Sequence, residues 1–441
     1  MEYKYRECFH KKMKSVLALL LGLTGAAAYD CADGTVTDGV LTFADGCTKV
    51  TGYGDATGFT EVVLPASVTH IGAQAFYGVS TLTTVDLGSV DKIGNWAFSG
   101  TGLTTVDLSS VDEIGMEAFN GAGLTSVTLP TTPYTIGAYA FHGTALTTVD
   151  LSSVTQIDEG AFQATQLTSV TLPTTPYTIG IVAFYGIPTL TTVSNVNDNV
   201  FTETASRFKD VFGTQVEHVT LADSVTHIGE QAFYGTALES INLGSVTHIG
   251  NAAFGNLDKL TTVDLSSVTE IEDGAFSGTG LTSVTLPTTS YTIGDGAFFG
   301  IPTLTTVSNV NDNVFTDTAS RFKDVFDTQV QHVTLADSVT HIGAQAFYGT
   351  ALESINLGLV TEIANDAFAN TALTSINLNK VERIGERAFM GTSLDTVVFP
   401  TTPYTIELRA FAEVSTLTTV DLGSVTQIDE GAFQATQLTS V

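Results

Sequence analysis

His227, His248 and Glu270 stand 21 and 22 residues apart, each directly before an isoleucine. If that interval is one structural period, the three side chains form a column at roughly 5 Å per step. Two imidazoles and a carboxylate are a donor set suited to zinc. A later copy of the same pattern reads His341, Glu362 and Arg383, and a guanidinium in the column would repel a cation. The expectation is therefore no metal and no cofactor. Asp86 and Asp107, on neighbouring periods, could hold calcium loosely, but exposed like charges are more simply solvated. No Walker loop, G-x-S-x-G elbow, H-E-x-x-H helix or paired C-x-x-C occurs, so no catalytic residue is assigned and an enzyme is not expected.

The elements that would position such residues emerge when the chain is cut at each Ala-Phe pair. Phe76, Phe98, Phe119, Phe141, Phe162 and Phe184 are spaced by 21 or 22 residues, and the spacing resumes at Phe233 and at Phe347. In the two longer steps Phe212 and Phe326 take the phenylalanine position. One unit, LTTVDLSSVDEIGMEAFNGAG (103–123), places Leu103, Val106, Leu108, Val111, Ile114, Ala118 and Phe119 at recurring apolar positions. Burying six large side chains yields about 12 kcal/mol, whereas ordering the backbone costs about 1–2 kcal/mol per residue. A single unit falls short, so neighbours must stack on it and a solenoid follows. Phe254→Ala is expected to cost about 3–5 kcal/mol, and replacement of the exposed Asp107 almost nothing.

The pattern L-x-x-V-x-L-x-x-V-x-x-I-G-x-x-A-F-x-G-T resembles the BspA-type leucine-rich repeat over about residues 59–441. The resemblance implies an α/β repeat solenoid of about 17 turns of 21–22 residues. Its L-x-x-V-x-L segments would form a parallel concave β-sheet, and its I-G-x-x-A-F segments would return along the outer face. In SVTHIGAQAFYG (67–78), Val68, Ile71, Ala75 and Phe76 would point inward, with Gly72 and Gly78 in tight turns. The sequence departs from the family in carrying Gly or Ala-Thr where many relatives have a core Cys after the phenylalanine.

Two insertions interrupt the period. NVNDNVFTETASRFKDVFG (195–213) and NVNDNVFTDTASRFKDVFD (309–327) each place Phe201, Ala205, Phe208 and Phe212, or Phe315, Ala319, Phe322 and Phe326, on one helical stripe. A short helix packed on the outer side is expected in each. Their Asn/Asp-rich starts are not calcium loops, because Val200 stands where an EF-hand needs Gly and Ser206 where it needs Glu.

Function then moves to the outward positions of the V-x-L strands. Thr84, Asp86, Thr105, Asp107, Ser126, Thr128, Thr148, Asp150, His218, Asn242, Asp264, His332 and Asn356 are the candidate partner-binding residues. The face is small, polar and nearly free of aromatics, so it offers no stacking platform. With 46 Asp+Glu against 16 Lys+Arg and a net charge of −30, nucleic acid and anionic membrane surfaces are poor partners. As in adhesins of the resembling family, the expected partner is an extracellular protein or glycan, bound by a monomer without membrane insertion of the solenoid itself. The alternative is a structural role in which the Thr/Ser/Asp array meets ice, mineral or wall polymer.

The termini supply an address and a cap. Residues 1–28 read as a secretory signal, with a basic start at Met13, an apolar run from Val16 to Leu23 and small residues ending at Ala28. Met13 is also a candidate true start. A secreted or cell-surface location follows, and after cleavage Cys31 and Cys47 remain to form a disulfide. Between them TVTDGVLTF reads as a hairpin turning at Asp38-Gly39, so residues 29–58 are expected to cap the repeats at 59–441. QLTSV at the end matches the stretch ending at Val170, where the chain continues, so a truncated C-terminus is expected.

Overall fold

The computed structural model describes residues 30–31, 33–201, 207–315 and 321–440. The expected signal over residues 1–28, the candidate start Met13, and Ala205, Ser206 and Ala319 lie outside these residues. Together the turns make a parallel-sheet solenoid of about 18 turns with two short helices. They fall into two compact units, Met1–Val149 and Asp150–Val441.

In the first unit a hairpin opens the chain. Asp38 and Gly39 have φ of 50° and 82°, the pair of positive values that a type I′ turn demands, and Thr35–Thr37 pairs antiparallel with Val40–Thr42. Leu41 then aligns with Val62 in parallel, and Val62 with Val85, so the hairpin covers the strand edge of the first repeats. A disulfide joins Cys31 to Cys47, with Cα atoms 5.3 Å apart. Asp30–Cys31 pairs in parallel with Lys49–Val50, which leads through His70–Ile71, Lys92–Ile93 and Glu113–Ile114 to Tyr134–Ile136. Most turns thus carry two parallel strands, a V-x-L strand and a short strand ending in the repeat isoleucine; in this unit the isoleucine strands share one sheet, while the V-x-L strands form two.

A third ladder runs down the phenylalanine edge. The N–H of Phe76 donates to the Ala97 carbonyl at 2.8 Å, that of Phe98 to Ala118 at 2.7 Å, and that of Phe119 to Ala140 at 2.8 Å. Beneath it the rings stack: Phe76 on Phe98 at 5.3 Å, Phe98 on Phe119 at 5.3 Å and Phe119 on Phe141 at 5.5 Å. Leu103, Val106, Leu108, Val111, Ile114, Ala118 and Phe119 are all buried. In several turns a Thr three residues after the phenylalanine is buried as well, and the Thr165 and Thr279 hydroxyls there have no hydrogen-bond partner. The Thr101 and Thr144 hydroxyls donate to the carbonyls of Phe98 and Phe141, both at 2.8 Å, so the polar atom is satisfied within its own turn.

The two glycines of the repeat do different work. Gly78 has φ +70°, as a tight turn requires. Gly72 does not, contrary to its expected turn role. A Cβ on Gly72 would lie 2.8 Å from the Val50 carbonyl oxygen of the preceding turn, so close stacking excludes a side chain. A second left-handed residue sits two positions before each phenylalanine and is often not glycine: Gln74, Trp96, Glu117 and Tyr139 have φ of 56°, 55°, 52° and 55°.

The second unit repeats this plan with two interruptions. Short 3₁₀ turns at Asp198–Val200 and Asp312–Val314 precede helices at Arg207–Phe212 and Arg321–Phe326. These helices lie on the return side of the turn, with Phe212 and Phe326 in the phenylalanine position, as the sequence suggested. They replace the I-G-x-x-A-F segment, because the N–H of Phe184 donates to Val211 and that of Phe298 to Val325, as in the ordinary ladder. Phe212 stacks on Phe184 at 5.5 Å, and Phe208 then inserts between Phe212 (4.9 Å) and Phe233 (4.7 Å). The second copy repeats this with Phe322 between Phe326 (4.9 Å) and Phe347 (4.6 Å). Among the described residues no helix is long and apolar enough to cross a membrane.

Candidate functional site

All thirteen candidate residues on the V-x-L face are exposed. Strand alternation explains this, since Val106 and Leu108 turn inward while Thr105 and Asp107 turn out. Register then decides which of them meet. In the first unit Thr105 aligns with Ser126 and Asp107 with Thr128, and Thr84 aligns with Glu61. In the second, His218 aligns with Thr192 and Ser240, and Thr220 with Asn242. His332 aligns with Thr306 and Ser354, and Thr334 with Asn356. The His218 and His332 Nδ1 atoms lie 3.2 and 2.9 Å from the hydroxyls of Ser240 and Ser354. Thr148, Asp150 and Asp264 stand outside the described strands, as does Asp86, one residue past Thr84–Val85.

The acidic and amide members share a local task that alternation alone does not reveal. One side-chain oxygen of each accepts the backbone N–H two residues on. The distances are 2.9 Å for Asp86 to Gly88 and Asp107 to Ser109, 3.0 Å for Asp150 to Ser152 and Asn242 to Gly244, 2.9 Å for Asp264 to Ser266 and 3.1 Å for Asn356 to Gly358. These are Asx turns closing each strand exit. The expectation that replacing Asp107 leaves stability almost untouched did not count this bond. Donation by the Ser266 backbone N–H, and then by its hydroxyl, holds the Asp264 carboxyl below the ordinary aspartate range.

The opposite sheet carries the His/Glu column. His227 aligns with His248 and His248 with Glu270, and the two imidazole centroids are 5.1 Å apart. His248 Nδ1 lies 3.0 Å from Glu270 Oε2, and its Nε2 lies 3.2 Å from Glu272 Oε1. Glu272 also accepts the Asn251 N–H at 2.9 Å. Sequence reasoning missed Glu272, which stands where most turns carry the close-approach glycine; VTEIEDGAF in place of V-x-x-I-G-x-x-A-F was the available signal. One turn pair in the second copy has a related cluster, in which Arg383 Nε donates to Glu407 Oε1 at 2.7 Å and its Nη1 donates to Glu362. Those carboxylates, Glu407 first, raise the Arg383 pKa further.

Exposed aromatics, nearly absent from the V-x-L face, gather just after the core phenylalanines at Tyr77, Tyr185, Tyr234, Phe299 and Tyr348. Lys209 and Lys323 each lie 5.4 Å from the ring centres of Tyr234 and Tyr348, within cation–π range.

A family model described as the BspA type leucine-rich repeat region matches the sequence in six copies, over residues 53–162, 92–212, 205–325 and 319–440. Among solved structures, a leucine-rich repeat protein from Bacteroides ovatus ATCC 8483 is similar at 19% identity, covering 94% of this chain and 86% of that one, with a TM-score of 0.36. A leucine-rich repeat protein from Eubacterium ventriosum ATCC 27560 is similar at 20% identity, with coverages of 92% and 93% and a TM-score of 0.29. The pneumococcal vaccine antigen PcpA is similar at 18% identity, with coverages of 85% and 98% and a TM-score of 0.29. No curated protein matches the sequence.

Proposed function

The chain belongs to the BspA-type leucine-rich repeat family, and from that premise we propose a non-catalytic recognition or adhesion protein, secreted or held at the cell surface. It binds an extracellular protein or glycan along the face of its V-x-L strands. The observation that carries this reading is the exposed groups held in register within each unit, such as Thr105 with Ser126 in the first and His332 with Ser354 in the second. Hydroxyl, carboxylate, amide and imidazole groups recur at the strand spacing of about 4.8 Å, so many weak polar contacts can add up over an extended partner. The acidic surface favours partners that are neutral or basic.

A lattice partner such as ice, mineral or wall polymer would need an unbroken period. The strand register shifts between Val193 and Val196 and again between Val307 and Val310, which favours a discrete ligand. Thermal hysteresis in a freezing assay would reverse that preference.

The direct test is an array of extracellular proteins and glycans probed with the protein and with a variant combining Asp86→Asn, Asp107→Asn and Asp150→Asn. The amide keeps the acceptor of each Asx turn and removes only the charge. Loss of binding at unchanged melting temperature supports the V-x-L face. Undiminished binding moves the partner to another surface.

A further inference from the structure

We infer that the phenylalanine edge of the first unit carries a second binding site, for a neutral β-linked oligosaccharide, in which Trp96 and Tyr139 flank Glu117, Asn120 and His142. It is distinct from the V-x-L face and does not depend on what that face binds. Trp96 is the only tryptophan of the chain. It occupies the left-handed position two residues before Phe98, at φ 55°, and Tyr139 occupies the same position before Phe141, also at φ 55°. A bulky side chain is an outlier in that conformation, and the fold does not require one. In the second unit the position holds Ala252, Gly274 and Gly296 among others, and no aromatic residue. Strain retained at a partly exposed place where glycine would serve points to a use for the rings themselves.

The stacking of turns sets the spacing. The Trp96 N–H donates to the Met116 carbonyl at 2.9 Å and the Glu117 N–H to the Ala138 carbonyl at 2.8 Å, so Trp96, Glu117 and Tyr139 sit on three successive turns. The phenylalanine rings beneath them step by 5.3 and 5.5 Å, which puts the two aromatic positions roughly 10 Å apart. The floor between them is polar and already ordered. Asn120 Nδ2 donates to Glu117 Oε2 at 2.6 Å, and Asn120 Oδ1 lies 3.2 Å from His142 Nδ1. The His142 ring in turn meets Tyr139 edge-on, with centroids 6.0 Å apart. All five side chains are half-buried, held by their neighbours yet reachable from solvent, so little side-chain freedom is lost when a ligand arrives.

Two rings flanking a row of hydrogen-bonding groups match the two-sided chemistry of a sugar chain. A β-linked hexose turns its C–H faces to aromatic rings and its equatorial hydroxyls sideways, toward carboxylate, amide and imidazole partners. Nucleobases could use the same rings, but the Glu117 carboxylate and the net charge of −30 repel a phosphate backbone. The same charge disfavours acidic sugars.

The sole tryptophan is its own probe, so the test is intrinsic fluorescence of the full chain titrated with cellohexaose and chitohexaose, with the acidic hexagalacturonate as a parallel arm. A saturable change in Trp96 emission is expected with at least one neutral hexamer and not with the acidic one. Tyr139→Ala should weaken binding about tenfold or more. Trp96→Gly, followed by calorimetry, should weaken it at least as much; glycine is native to this position in other turns, so the variant should still fold, as melting checks. The variant combining Asp86→Asn, Asp107→Asn and Asp150→Asn should bind the hexamers as the parent does. No saturable change with either neutral hexamer, equal binding by Trp96→Gly and the parent, tighter binding of hexagalacturonate, or loss of the hexamers in the triple Asp→Asn variant would each overturn the inference. So would an array on which folded Trp96→Gly loses a protein partner and no glycan.

Discussion

At Asp107 a single oxygen is committed to the Ser109 N–H, and the residue is otherwise exposed. Its energetic role is therefore local and does not depend on charge. Asp107→Ala should destabilise the fold by about 0.5–1.5 kcal/mol, the net value of one such bond, while Asp107→Asn should stay within about 0.5 kcal/mol; denaturant titration of the pair checks this. Asn242 and Asn356 already perform the task without charge. Asp264 adds a pH dependence, because its folded-state value lies below the ordinary range. Its stabilisation is in force above the unfolded value of about 3.9 and is lost as pH falls through the lower folded value. Melting curves between roughly pH 5 and 2 should accordingly fall less steeply for Asp264→Asn than for the parent. Which residues face outward was legible in the sequence, because alternation along a strand is geometric. The Asx turns were not, since alternation says nothing of where the chain bends at a strand exit, nor was the Glu272 contact, whose partners His248 and Asn251 only the stacking of turns brings near.

Among the elements, the turn before each phenylalanine holds a strained position that sequence disguises. Glycine marks it only in some turns, such as Gly160 and Gly274 at φ 61° and 62°, whereas Val182 occupies it at φ 50°. A β-branched residue is disfavoured there by roughly 1–2 kcal/mol. Val182→Gly should therefore raise stability, by about 1 kcal/mol after the greater chain entropy of glycine is discounted, and thermal melting reads the sign directly. The inserted helices were legible as elements, because Phe201, Phe208 and Phe212 keep helical spacing. Their place was legible too, because Phe212 and Phe326 keep the phenylalanine period; their extent was not, since Phe201 caps a 3₁₀ turn and the described helix runs over Arg207–Phe212. Since Phe208 is fully buried between two other rings, Phe208→Ala should cost about 3–5 kcal/mol. A helix merely resting on the outside would lose far less, so calorimetry of this variant separates the two arrangements.

For the molecule as a whole, the period of the Ala-Phe pairs was sufficient to reveal a stacked parallel fold, because a lone turn cannot bury enough surface. About 17 turns were legible against about 18 in the structure. Tyr53, with no alanine before it, stacks on Phe76 at 6.0 Å and takes the ring position ahead of the first Ala-Phe pair. The net charge of −30 acts on every turn at once. Melting temperature should rise as sodium chloride goes from about 0.01 to 0.15 M, where the screening length shrinks from about 30 to 8 Å; a fall would mean that attractive ion pairs outweigh the repulsion. The intercalated phenylalanines have one more consequence. Asn195 and Asn309 open inserts that differ only at Glu203/Asp317 and Gly213/Asp327, with the same ring distance of 4.9 Å in each. Excising residues 196–309 would set the Phe184 turn against a helix of the same RFKDVF sequence it already meets, so recombination within the gene can telescope this protein by whole blocks with few altered contacts at the joint.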